Sequence, residues 1–166
     1  HFAKIPFSLF PFYLGYGKNV GLIAIVTLNS EGLPILLTTV HTCGCYLAFT
    51  PTSYMPQEAY PEKWNAKRQN VYGEALPGFL DFNSSSFTQS ATAIILRNNT
   101  HRVKDIFIAS KDSLVNYDMA IADIQPLSAL QNIFSGTMRT TSFYEDSGHR
   151  KGYVKGSHKP WERLLI

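Results

Sequence analysis

A pair of apolar segments divided by a polar turn constrains this chain more than any other feature. Val20 to Leu28 reads Val-Gly-Leu-Ile-Ala-Ile-Val-Thr-Leu, Asn29-Ser30-Glu31-Gly32 supplies turn chemistry, and Leu33 to Val40 returns as Leu-Pro-Ile-Leu-Leu-Thr-Thr-Val. β-Branched residues in short runs, closed by Asn and Gly, predict two antiparallel strands. Pro34 fits the start of the returning strand, where no ladder donor is needed. Neither segment alternates cleanly, which predicts that both faces are covered by a second sheet, by helices or by a neighbouring subunit. The run 20–28 is far too short to cross a bilayer as a helix, so no transmembrane span is expected.

The remaining chain extends this pattern. Cys45 to Thr50 predicts a third strand after a bend at Gly44. Pro61 can open a helix over 61–71, with Trp64, Arg68 and Tyr72 spaced by four. The segment 73–90 reads as a long loop. A second hairpin is predicted from strands 91–96 and 103–108 about the turn Asn98-Asn99-Thr100. After Ser110 and Asp112, which can cap a helix carrying Leu114, Tyr117 and Ile121, the segment 119–124 could equally be a strand. Pro126 can begin a short helix through Phe134, and 138–144 reads as a last strand. The sum is an α+β fold: one domain dominated by antiparallel β-sheet, with two or three short helices. Its core spans 20–145, between an extended aromatic and proline-rich segment, 1–19, and a basic, glycine-containing tail, 146–166.

Composition sets limits on function. With 45% hydrophobic and 16% charged residues in 166, the chain has material for a core, and wholesale disorder or a coiled coil fits poorly. The net charge is only +3, and the densest basic cluster is Lys151, Lys155, His158, Lys159 and Arg163. That reads as a solvated tail, with no strong nucleic-acid signal. The sequence starts at His1, with no leader to read, so an extracytoplasmic location stays open. Asn83-Ser84-Ser85 and Asn98-Asn99-Thr100 match the N-glycosylation pattern.

One segment is chemically dense. His41-Thr42-Cys43-Gly44-Cys45-Tyr46 places an imidazole and two thiols within five positions, a soft-ligand set suited to copper, zinc or iron. On a straight strand His41 and Cys45 would lie roughly 13 Å apart, so a metal site needs a bend at Gly44 and ligands from elsewhere, such as His101, His149 or His158. The bland alternative is that both cysteines pack as small apolar groups. A thiol-dependent reaction would use Cys43 with His101, oriented by Asp81, Asp105 or Asp118. Glu58 with Glu62, and Asp118 with Asp123, read as surface acids rather than a glycosidase pair. Tyr46, Phe49, Tyr54 and Tyr60 are candidates to line a pocket, with Tyr46 and Tyr54 as cofactor-binding residues.

Three functional classes follow. The first is a noncatalytic assembly or binding domain that packs on a protein partner or in a homo-oligomer through its aromatic termini. The second is a metal- or cofactor-binding protein centred on His41, Cys43 and Cys45. The third is an enzyme using Cys43 and His101.

Overall fold

Strand β4, Pro34–His41, sits between two antiparallel neighbours and shows why this sequence folds as sheet. Its residues Leu37, Thr39 and His41 are buried while those between them are only partly covered, the period of two that a half-buried strand requires. The computed structural model of the chain describes residues 2–5, 17–82, 89–98, 100–115, 117, 120, 122–134 and 138–157, with backbone alone at 2–5 and 17–19. The chain divides into two compact units, one of residues 22–119 and one of segments 1–21 and 120–166. Among the described residues, antiparallel sheet dominates, with one short α-helix and several 3₁₀ turns.

In the unit 22–119, β3 (Leu22–Leu28), β4 and β5 (Ala48–Pro51) form a three-stranded sheet in that order. The hairpin register sets Leu22 opposite His41 and Val26 opposite Leu37. The turn is closed by Asn29, whose Oδ1 accepts from the amides of Glu31 and Leu33, with Gly32 at φ +79° supplying the left-handed residue. A second hairpin, β6 (Gln69–Val71) with β7 (Glu74–Leu76), packs against a third, β8 (Ser90–Leu96) with β9 (Val103–Ser110). Leu37, Ala48, Leu76, Leu80, Phe82, Val103 and Ile106 make the core between them. Ser110 caps α1 (Lys111–Leu114), its hydroxyl accepting from the Asp112 amide at 3.3 Å.

The unit 1–21 with 120–166 contains β1 (Phe2–Ile5) paired with β2 (Gly17–Val20), and β10 (Ile133–Phe134) paired with β11 (Thr140–Thr141). Beyond β11, backbone bonds between Glu145 and Tyr153 and between Phe143 and Lys155 fold the chain back and bury Val154. In the basic cluster, the Lys155 ammonium pairs with Asp146 at 3.0 Å, and just before it the Arg150 guanidinium lies over the Tyr153 ring. His158, Lys159, Trp161 and Arg163 lie outside the described residues. No helix among the described residues is long and apolar enough to cross a membrane.

Several expected elements are corrected. The segment 61–71 is not a helix: turns lead into β6, because Trp64 is drawn inward to donate its indole N–H to the Gly78 carbonyl at 2.7 Å. The segment 73–90 is not loop throughout, since β7 pairs with β6 and Leu80 bridges Thr52 in parallel. The third strand starts at Ala48 rather than Cys45, and Gly21 separates β2 from β3. The helix after Ser110 is a single turn, 122–124 is irregular, and Pro126 opens a 3₁₀ turn, Leu127–Gln131. The strand expected over 138–144 is reduced to β11.

The largest correction concerns coverage. β4 buries Leu37, Thr39 and His41 and only partly covers the residues between them, and β3 is exposed on both faces, with Ile25 49%, Val26 52% and Leu28 55% accessible. The packing layer reaches Leu22 at one end and leaves the rest of β3 overhanging.

Gly78 lies close against the backbone of Asn65. A Cβ there would sit 1.9 Å from the Asn65 carbonyl oxygen, so the backbones of 65 and 78 could not remain in place. Gly78→Ala is expected to cost about 1–3 kcal/mol, as overpacking does elsewhere. Urea unfolding checks this, and a midpoint equal to wild type would refute it.

Candidate functional site

Three hairpin turns meet in the unit 22–119, and most of the residues singled out from sequence lie there. The first is 41–46. The His41 amide donates to the Cys45 carbonyl at 2.9 Å and the Gly44 amide to the His41 carbonyl at 2.8 Å, closing a tight loop. Gly44 adopts φ +83°, so the expected bend is present and uses the glycine's conformational freedom. Tyr46 is also left-handed, at φ 59°, an uncommon state for an aromatic residue. It turns the chain back so that its ring packs on His41, centroids 4.6 Å apart.

The second turn joins β6 to β7 through Tyr72 and Gly73. Tyr72 is left-handed as well, at φ 51°, and its ring meets Tyr46 edge-on at 4.9 Å. The third turn joins β8 to β9, where the Arg102 guanidinium donates to the Tyr72 carbonyl at 3.1 Å. His101 in that turn is left-handed too, at φ 56°, and burial holds its imidazole below the ordinary histidine range. Three strained residues in three touching turns show that tertiary packing overdetermines local preference here.

Electrostatics bind the second and third turns. Glu74, 5% exposed, accepts from Arg97 through both carboxylate oxygens, at 2.5 and 2.9 Å, and lies 3.1 Å from Arg102. The Arg97 hydrogen bond lowers the Glu74 pKa below its usual value, against the opposing effect of burial. Sequence reading passed over Glu74, Arg97 and Arg102. The available signal was weak: one acid beside a Tyr-Gly turn and two arginines flanking another.

The sequence-based candidates fare unequally. His41 is fully buried at 1% exposure, Cys43 is buried and Cys45 half-buried, and the two cysteines are thiols rather than a disulfide. Among the described residues, no group of three or more His, Cys, Asp or Glu side chains is arranged to hold a metal ion, His41, Cys43 and Cys45 included. The copper, zinc or iron expectation therefore finds no assembled ligand set there. His101 lies at the third turn, while Asp105 uses Oδ1 to accept from the Ile106 amide. Asp118 lies outside the described residues. Tyr46 joins the ring stack, whereas Tyr54 packs on Phe82 at 5.6 Å beside the core. Tyr60 and Phe49 instead line a separate cleft near Trp64.

No family model, no curated protein and no solved structure matches the chain. The functional reading rests on the residues themselves.

Two measurements test this region. Glu74 has a lowered pKa, so its stabilisation is complete above the ordinary carboxylate value of 4.5 and is lost as pH falls through the folded-state value. Unfolding free energy should therefore decline below about pH 4.5, and Glu74→Gln should flatten that decline. Urea titrations between pH 3 and 7 check it; an undiminished acid slope in the variant would remove Glu74 from the account. Gly44→Ala should cost about 1 kcal/mol from backbone strain alone, because nothing lies within 4 Å of the added Cβ. Gly44→Asn should cost less, since Asn tolerates the left-handed region, and thermal unfolding of both variants separates the two.

Proposed function

We propose that this chain is a noncatalytic assembly domain that joins a second copy of itself through the edge of β3. The observation that carries the reading is the state of that strand. Leu22–Leu28 is Leu-Ile-Ala-Ile-Val-Thr-Leu, without charge or proline, and among the described residues its outer edge has no strand partner. Natural edge strands are ordinarily blunted by charge, proline, bulges or a covering segment. The opposite edge of the sheet shows such cover: Gln69 Nε2 donates to the Phe49 carbonyl at 2.7 Å, and the Leu80 amide donates to the Pro51 carbonyl at 2.9 Å. β3 carries one irregularity in its pairing with β4, between Thr27 and Leu28, and none of these devices from Leu22 to Val26.

A second copy suits the strand because antiparallel pairing of identical strands closes on itself about a two-fold axis. With the axis at Ile25, that residue faces Ile25 of the partner subunit and Leu22 faces Leu28 of the partner subunit. No charges oppose one another, and the apolar side chains of both faces gain neighbours. A seven-residue strand is small beside a standard interface of about 20–30 residues a side, so the dimer should be weak and concentration-dependent. The aromatic segment 1–19 and the C-terminal tail belong to the same proposal as further packing surfaces. The side chains of 1–19, and Trp161, lie outside the described residues.

Sedimentation equilibrium from low to high micromolar concentration tests it. Wild type should shift from one chain to two, and Ile25→Lys should weaken association about tenfold or more by setting like charges opposite each other. Because Ile25 is half exposed, monomer stability should change little. A single-chain mass at every concentration, or equal association in the variant, would overturn the proposal.

A further inference from the structure

The chain that follows β5 builds an open cleft of about 590 Å³, lined by Ser53, Gln57, Tyr60, Glu62, Trp64 and Phe79 among others. A smaller, half-open cavity of about 190 Å³ shares Tyr60, Pro61, Trp64 and Met55 with it and adds Leu36 and Phe49, so its lining is almost wholly apolar. The larger cleft by itself is of the size that small organic ligands occupy.

Two rings are set in place from their polar ends. The Tyr60 hydroxyl donates to the Thr52 carbonyl at 3.2 Å, and the Trp64 indole N–H donates to the Gly78 carbonyl at 2.7 Å. Burial raises the Tyr60 pKa and keeps that hydroxyl protonated as a donor. With their donors engaged inside the protein, both residues offer a ligand chiefly their π-surfaces. Glu62 is the one charged residue lining either cavity among the described residues. It is exposed, and no described cation forms a salt bridge to it.

Charge decides the class of occupant. An anion would meet Glu62 with no lysine or arginine among the described lining residues to offset it. A neutral ligand would gain no Coulombic attraction from the exposed carboxylate. A weakly hydrated cation satisfies both features, since aromatic faces and a carboxylate attract it together. We propose that this cleft binds an organic ammonium ion with an apolar arm, the charge at Glu62 beside Tyr60 and Trp64 and the arm in the smaller cavity. The site is separate from β3 and does not depend on the assembly reading.

Hexyltrimethylammonium, tetramethylammonium and 1-hexanol are the probes, titrated calorimetrically into the full chain. Hexyltrimethylammonium should bind tightest, tetramethylammonium more weakly for want of the arm, and hexanol more weakly for want of the charge. Glu62→Gln should weaken hexyltrimethylammonium about three- to fivefold, the scale of an exposed charge pair, and leave hexanol unchanged. In Trp161→Phe, which leaves Trp64 as the one indole, the same ligand should quench tryptophan emission. Hexanol binding as tightly as the cation would overturn the proposal. So would equal affinity in Glu62→Gln with the unfolding transition retained, or no binding at millimolar concentration.

Discussion

A carboxylate taken out of water must be matched, and the Glu74 side chain organises one region of this protein for that reason. It lies on β7, and its partners, Arg97 and Arg102, stand at the two ends of the β8–β9 turn. Satisfying one charge thus holds two hairpins in a fixed relation. Arg102 then reaches the Tyr72 carbonyl, Tyr72 carries Tyr46, and Tyr46 covers His41 at the end of the central strand. Removing one partner of such a buried group is commonly far costlier than replacing the whole set by apolar residues. The left-handed Tyr46, Tyr72 and His101 are tolerated because these contacts hold them.

The same region gives the cysteine segment a structural explanation. Gly44 bends the chain, Cys43 turns inward and His41 stacks on an aromatic ring. His41 and Cys43 are buried in this turn and Cys45 is half-buried. Exposed apolar surface lies elsewhere: in the cleft at Tyr60 and Trp64, and along the uncovered β3. β3 is uncovered where the core layer ends, since apolar side chains beyond its reach are left at the boundary with water.

Much of the sheet was legible because strand signals are local. The hairpin of β3 and β4, and that of β8 and β9, follow from β-branched runs bounded by turn residues, and Ser110 was legible as a helix cap. The segment 61–71 was misread because the four-residue spacing of Trp64, Arg68 and Tyr72 imitates a helical stripe. A hydrogen bond from Trp64 to Gly78, distant in sequence, outweighs that pattern. β7 was missed because Glu-Ala-Leu carries almost no strand signal without β6 beside it and Arg97 opposite.

By itself, the sequence determined antiparallel strand pairing and the bend at Gly44, since each depends on residues near one another in the chain. Tertiary structure decided which apolar strand is enclosed and which is left at an edge. β3 and β4 are almost equally apolar, yet Leu37 is buried and Val26 half exposed, because coverage depends on the reach of Leu76, Val103 and Ile106 from other hairpins. It also decided that Glu74 would be buried and Glu62 exposed. A carboxylate's environment is set by the groups that folding brings to it, and neither residue's immediate neighbours in the chain contain that information.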